Sequence, residues 1–146
     1  MPPEIRECRE GDLKAVYEIE KMSFPHPYDL DVFQAYLLRV EFSGFDGFLV
    51  AVEGETVQGY VIFEYGRKAL IVSMAVHPDR RRGKIGTLLL REALLRIGRR
   101  CKEITLQVAV SNLGARHLYR AFGFEVMKTI PRYYPDGEDA LLMERS

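Results

Sequence analysis

The sequence predicts a mixed α/β fold around a central sheet of about six or seven strands. Short β-branched and aromatic runs recur along the chain, and amphipathic segments with helical spacing separate them. The second half alternates strand, helix, strand, helix, which suits parallel pairing. The first half carries a hairpin, which suits antiparallel pairing. Helices are therefore expected on both faces of one sheet.

Taken in order, Ile5 to Cys8 reads as a short strand. Asp12 reads as the N-cap of a helix whose inward stripe is Leu13, Val16, Tyr17 and Glu20. Pro25 and Pro27 end that helix, because proline lacks a donor and restricts the residue before it. Asp29 or Asp31 caps a second helix carrying Val32, Phe33, Tyr36 and Leu37. Phe48–Val52 and Val57–Tyr65 flank a Glu-Gly-Glu-Thr turn and predict a hairpin. Ala69–Val76 is a further strand, ended by His77-Pro78. A loop from Asp79 to Lys84 leads into a helix from Ile85 to Ile97, with Gly98 as its C-cap. Ile104–Val110 is a strand. Ser111 and Asn112 precede a helix from Leu113 to Phe122, which Gly123 closes. Phe124–Thr129 and Ala140–Met143 form the last strand pair.

Composition narrows the function. A chain of 146 residues, 47% hydrophobic and 29% charged, predicts one globular domain over residues 1–146 rather than a disordered or membrane-spanning chain. The first residues carry no apolar signal core, and Cys8 and Cys101 form no metal-type cluster, so a cytoplasmic protein without a disulfide framework or metal site is expected. Twenty-one basic residues cancel twenty-one acidic ones, which removes any global pull toward nucleic acid or membrane. The balance is uneven, however. Arg67 to Lys102 holds eleven basic and two acidic residues, a local +9 that calls for an anionic partner.

The centre of that segment is Val76-His77-Pro78-Asp79-Arg80-Arg81-Arg82-Gly83-Lys84-Ile85-Gly86-Thr87. It joins a strand to a helix N-terminus, where unpaired N–H groups and the helix dipole favour phosphate. Arginines fork onto phosphate oxygens, and Gly83 and Gly86 admit a ligand close to the backbone. The spacing matches neither the Walker phosphate loop nor the GxGxxG dinucleotide loop.

This stretch, with the Leu-rich helix after it, resembles motif A of the GCN5-related N-acetyltransferases. Asn112-Leu113-Gly114-Ala115-Arg116-His117-Leu118-Tyr119-Arg120-Ala121-Phe122-Gly123-Phe124 resembles that family's N-x-x-A-x-x-L-Y-x-x-x-G-F segment. Tyr133-Tyr134-Pro135 with Glu138-Asp139-Ala140 is similar to the end of its RimI-type branch, which acetylates protein N-termini. The resemblance spans nearly the whole chain. It implies a splayed pair of parallel strands and acetyl-CoA as cosubstrate, held by Met74, Ala75, Val76, Arg81, Arg82, Gly83, Lys84, Ile85, Gly86, Thr87, Asn112 and Tyr119. It implies Tyr119 as the acid that protonates the leaving thiolate. Phe24, Pro25, Tyr28, Tyr133 and Tyr134 would form the acceptor wall.

Two residues depart from the family pattern. Lys84 stands where the phosphate loop has its middle glycine. Gln107 stands where RimI-type enzymes carry Glu or His, and an amide cannot take a proton at neutral pH. That absence favours an acceptor that needs little help. A protein α-amine, with pKa ≈ 7.7–8.0, is roughly one-tenth neutral near pH 7, whereas a lysine is neutral less than about once in a thousand. His26 and Glu64 are the other candidate bases.

The expected function is therefore acetyl transfer from acetyl-CoA to the free α-amine of protein N-termini, ribosomal proteins among them, by direct attack in a ternary complex. A monomer or homodimer working without nucleic acid or membrane is expected. The alternatives are the same fold acting on a small amine, an acetyl-CoA-binding protein without turnover, and a nucleic-acid module using the +9 segment. The leucines of the 85–97 helix, read as largely buried, argue against the last. Tyr119 read alone is a core tyrosine, and Asn112 read alone is a helix cap.

Overall fold

A computed structural model describes residues 2–44 and 46–146. The elements run β1 (Glu4–Glu7), α1 (Leu13–Ser23), α2 (Leu30–Ser43), β2 (Asp46–Glu53), β3 (Thr56–Glu64), β4 (Ala69–Val76), α3 (Ile85–Ile97), β5 (Ile104–Ala109), α4 (Leu113–Ala121), β6 (Glu125–Ile130) and β7 (Ala140–Arg145). Single 3-10 turns at Glu10–Asp12 and Pro78–Arg80 precede α1 and the loop before α3.

The strands form one seven-stranded sheet in the order β1-β2-β3-β4-β5-β7-β6. Every neighbouring pair is antiparallel except β4 and β5. The helix-linked crossover through α3 is what brings those two strands together in parallel.

Alternation along each strand sends side chains to opposite faces. Val50, Tyr60 and Ile62 pack under α1 and α2 with Val16, Ile19 and Phe33. Leu49, Val61 and Ile71 pack under α3 and α4 with Leu89, Leu90, Ala93 and Tyr119. Burial of each such aliphatic side chain contributes roughly 2 kcal/mol. Two glycines let this packing close. A Cβ on Gly59 would stand 3.0 Å from Leu89 and 3.2 Å from Ile85, so the bare backbone lets α3 settle onto β3. A Cβ on Gly47 would fall within 2.6 Å of three Phe63 ring carbons, because that ring lies across the glycine opposite it.

The pairing of β3 with β4 slips by one residue: Ile62 faces Ser73 but Phe63 faces Ile71, leaving Val72 extra. Such a bulge inverts the facing of everything beyond it. Ala69 and Ile71 point toward α3, whereas Ser73 and Ala75 point toward α1 and Met74 and Val76 toward α3.

Local details depart from expectation at several points. Asp12 has helical backbone angles and makes no side-chain cap. Its carboxylate instead accepts from the Arg9 N–H at 2.8 Å and from Arg6 at 2.7 Å, so it fastens the turn to β1. Gly98 ends α3 with right-handed angles (φ −61°) rather than as a left-handed cap. Asp29 precedes α2 without a side-chain cap. Glu20, counted in the inward stripe of α1, is a carboxylate only 2% exposed. Leu95 is 59% exposed, so the leucine helix is buried on one side only.

Candidate active site

β4 and β5 pair only from Ala69 with Ile104 to Ile71 with Leu106. Beyond that point they separate, and a cavity of about 310 Å³ opens between them. Its floor is Leu70 to Met74 and Leu106 to Ala109. Asn112, Ala115 and Tyr119 of α4 close one side.

The separation leaves one edge of β4 without a partner strand. The His77 N–H donates to the Gln58 carbonyl at 2.7 Å, which sets the ladder alternation between β3 and β4. Residues 73 and 75 bond to β3 in the same way, so the N–H groups of Met74 and Val76 face the open edge. Met74 lines the cavity. The Ala75 side chain does not: it is buried on the α1 face, as the bulge requires. Val76 packs toward α3 and also lies outside the cavity lining. Of the three β4 residues expected to hold the cosubstrate, Met74 lines the cavity, and Val76 offers its backbone N–H along the open edge.

At the end of β4 lies the basic loop. Among the described residues, the backbone N–H groups of Arg81 through Thr87 have no protein acceptor. Seven consecutive free donors at a helix start form a polar concavity suited to phosphate oxygens. A shallow pocket of about 380 Å³ lies along Asp79 to Ile85, walled by Pro3 and Glu53. A Cβ on Gly86 would make ordinary contact with Leu118 and Val76 at 3.4 and 3.7 Å, so packing within the protein does not require glycine there. The Ile85 side chain is buried in the core and leaves only its N–H to the loop.

The side chains of this loop divide unexpectedly. Arg81 turns inward: its Nε donates to the Val76 carbonyl and its Nη2 to Ser23 Oγ, both at 3.0 Å. It braces the loop against β4 and α1 through two of its three nitrogens. Arg80 pairs with Glu53 at 2.5 Å. Arg82 and Lys84 have no side-chain partner among the described residues and remain for an anion. Arg82 carries the positive φ of the turn, +67°. Lys84 sits at φ −97°, where any residue fits, which explains why glycine is dispensable at that place.

Asn112 caps α4, its Oδ1 accepting from the Ala115 N–H at 3.2 Å, and its amide lines the cavity. The cap is thus observed, and it leaves this residue beside the cavity. Tyr119 is 6% exposed, its ring packed edge-on to Phe124 at 5.9 Å. Its hydroxyl makes no hydrogen bond among the described residues although the ring lines the cavity. Burial, with neighbouring Tyr134, holds the Tyr119 phenol well above its ordinary value. Gln107 projects from β5 into the same cavity.

The opposite wall comes from two loops distant in sequence. Phe24, Pro25, His26 and Tyr28 line it between α1 and α2, and Tyr133, Tyr134, Asp136 and Glu138 line it between β6 and β7. The Tyr133 and Tyr134 rings meet edge to face at 5.0 Å. Burial and nearby Tyr133 push the Tyr134 phenol up to about 12. The second loop is fastened to the turn between β5 and α4, since the Ser111 N–H donates to Glu138 Oε2 at 2.7 Å. All five residues expected for an acceptor wall are thus brought to the cavity. His26 lies at its mouth, 3.9 Å from Asp136. Glu64 is occupied elsewhere, accepting from Tyr36 at 2.5 Å and Arg39 at 3.2 Å.

Sequence reasoning missed Glu20 as a site residue. It lines the cavity and accepts from Tyr60 and, at 3.0 Å each, from Ser73 Oγ and the Tyr28 N–H. A glutamate inside an otherwise apolar helical stripe was the available signal.

The fold and the loop define an acyltransferase that takes its acyl group from acetyl-CoA. The family profile described as Acetyltransferase (GNAT) family matches residues 13–124, and the chain belongs to that family. It is 34% identical to an N-alpha-acetyltransferase of Sulfurisphaera tokodaii, with 95% of this chain and 90% of the relative covered. It is 35% identical to a protein of Bacillus subtilis described as a putative [ribosomal protein bS18]-alanine N-acetyltransferase, covering 95% of this chain and 92% of the other. Among solved structures, Ard1 from Thermoplasma volcanium superposes with a TM-score of 0.89 at 27% identity, covering 99% and 97% of the two chains. The ribosomal-protein-S18-alanine N-acetyltransferase of Escherichia coli gives 0.86 at 26% identity, covering 98% and 92%. Among the described residues no helix is long and apolar enough to cross a membrane.

Proposed function

We propose that this enzyme acetylates the free α-amine of protein N-termini, ribosomal proteins among them, and works in the cytoplasm as a monomer or homodimer. The observation that carries the reading is the meeting of the open β4 edge with the two aromatic loops in one cavity. An extended N-terminal segment fits between Tyr28 and the Tyr133–Tyr134 pair with its first residue toward Gln107 and Tyr119. The relatives named for acting on N-terminal amines support that acceptor.

Acetyl-CoA supplies the acetyl group as an activated thioester. The seven free N–H groups from Arg81 to Thr87, with Arg82 and Lys84, hold its phosphates. Asn112 holds the arm. The Met74 and Val76 N–H groups donate to the carbonyl oxygen as negative charge develops on it. The neutral amine attacks the carbonyl carbon, a C–N bond forms and the C–S bond breaks. Tyr119 gives its phenolic proton to the departing sulfur. Gln107 accepts no proton but orients a water, which takes the proton that the nitrogen loses as the amide forms, and the Tyr119 phenolate regains a proton from solvent. Much of the acceleration comes from holding both reactants in one cavity.

The deciding experiment is transfer of radiolabelled acetyl to short peptides that differ in their first two residues. Peptides blocked at the N-terminus but carrying lysine, and a set of small amines, are assayed beside them. Label on free α-amines alone is expected. Label on small amines alone would give the cavity a different acceptor. Acetyl-CoA binding with no transfer would mark a non-catalytic binding protein.

A further inference from the structure

Glu20 is a buried carboxylate with no cation paired to it among the described residues. Its three partners are neutral: the Tyr60 hydroxyl, the Ser73 hydroxyl at 3.0 Å and the Tyr28 N–H at 3.0 Å. Taking a carboxyl group out of water is costly, and an apolar residue at this place in α1 would pack against Val16 and Ile19 without that cost. Packing therefore does not account for it. The three partners do, because they lie on three different pieces of the site.

Tyr60 belongs to β3 and is fully buried, 3.1 Å from Ser73, which lines the cavity. Ser73 is the first β4 residue past the extra Val72 of the bulge and directly precedes Met74, whose N–H faces the open edge. Tyr28 stands in the α1–α2 loop that forms half of the aromatic wall. That loop contains two prolines and little regular structure, and its chain is tied back to α1 through the Tyr28 N–H and the Glu20 Oε2. Glu20 Oε1 meanwhile holds the strand that carries the acyl side.

We propose that Glu20 is a positioning residue that sets the acceptor loop at a fixed distance from the β4 edge. It acts through Tyr28 and Ser73 and does not exchange a proton with the amine. The proposal rests on the peptide-acetyltransferase reading, and its consequence is that acceptor binding, not acetyl-CoA binding, depends on Glu20.

The test uses two variants. Glu20→Met has no acceptor for the Tyr28 N–H, while Tyr60 and Ser73 keep each other at 3.1 Å. Glu20→Gln keeps one acceptor oxygen for Tyr28, and its amide NH2 can donate to the hydroxyls, which accept as well as donate. Amide hydrogen exchange at Tyr28 is measured with the KM for a peptide acceptor, kcat, and acetyl-CoA affinity by calorimetry. In Glu20→Met, exchange at Tyr28 and peptide KM each rise ~10-fold, as loss of one buried hydrogen bond implies, with acetyl-CoA affinity within about twofold. Glu20→Gln keeps both near the parent values.

Unchanged Tyr28 exchange in Glu20→Met overturns the proposal. So does a kcat in Glu20→Gln that collapses while Tyr28 stays protected, since that would make the carboxylate a proton acceptor. If Glu20→Met does not fold, Glu20→Ala, which also removes the acceptor for the Tyr28 N–H, takes its place in the exchange and KM measurements, and Glu20→Gln still tests for proton transfer. The exchange measurement needs no turnover, so a parent enzyme that acetylates no peptide would refute the acceptor assignment and leave the test of loop placement intact.

Discussion

Ile71 on β4 faces Leu106 on β5, and this is the last pair that the two parallel strands make. One residue further, Val72 is the extra residue of the bulge. The strand thus parts from its neighbour at the point where its facing inverts. Two consequences follow together: an unpaired backbone edge that can bind a ligand, and a cavity floor lined by residues of both strands.

Tyr119→Phe lowers kcat by ~10²-fold or more, the usual contribution of a placed acid, while calorimetry finds acetyl-CoA affinity unchanged. Burial raises the Tyr119 pKa above its ordinary value of about 10. The phenol therefore stays protonated through the alkaline range. No loss of kcat below about pH 10 should trace to Tyr119, and the alkaline limbs of parent and Tyr119→Phe profiles should coincide there.

Arg82→Gly moves stability and affinity in opposite directions. The left-handed angle at φ +67° costs a non-glycine residue ~1–2 kcal/mol, partly offset by the greater unfolded freedom of glycine. A Tm rise of about 2 °C is expected in a thermal melt. Calorimetric affinity for acetyl-CoA falls, because a cation beside the free N–H groups is lost. A drop in both quantities would contradict this account of the loop.

Gly47→Ala destabilises by ~2–3 kcal/mol in urea unfolding, the scale of forced overpacking. The added methyl would land 2.0 Å from a Phe63 ring carbon, and β-strand backbone on both sides leaves the ring little room. Combining it with Phe63→Leu should recover part of the loss. Strict additivity of the two changes would contradict direct contact.

Burial, with the charge of Asp12, pushes the Cys8 thiol up to about 12. An ordinary thiol ionises near pH 8.5, so the unfolded chain gives up this proton before the folded one. The contribution of Cys8 to stability is complete below about pH 8.5 and is lost as pH climbs toward 12. Cys8→Ala should flatten that part of the stability profile. The native protein at pH 8 should leave Cys8 unmodified by a thiol reagent that labels it in denaturant.

Much of the site was legible in the chain because local chemistry dictates it. The run from His77 to Gly86 announces a helix start with free donors and cations, and the structure places a donor-lined concavity there. Asn112 before an amphipathic stretch announces a capped helix, and that helix carries Tyr119 inward. The inward turn of Arg81 was not legible, since its partners Val76 and Ser23 come from other elements. The buried role of Glu20 was hidden for the same reason: Tyr60 and Ser73 lie 40 and 53 residues away. Asp12 looked like a cap because its type and place fit one, but Arg6 and the Arg9 N–H supplied stronger partners.

The order of elements, the hairpin at Gly54, the basic loop before α3 and the absence of a carboxylate or imidazole at Gln107 were determined by the sequence alone. Each depends on side-chain type, on spacing of 2 or 3.6 residues, or on the freedom of a single backbone position. Tertiary structure decided where β4 leaves β5, which arginines stay free for an anion, and how two loops about a hundred residues apart become one wall. Those outcomes are competitions among partners that meet only when the sheet is assembled, and no local rule ranks them.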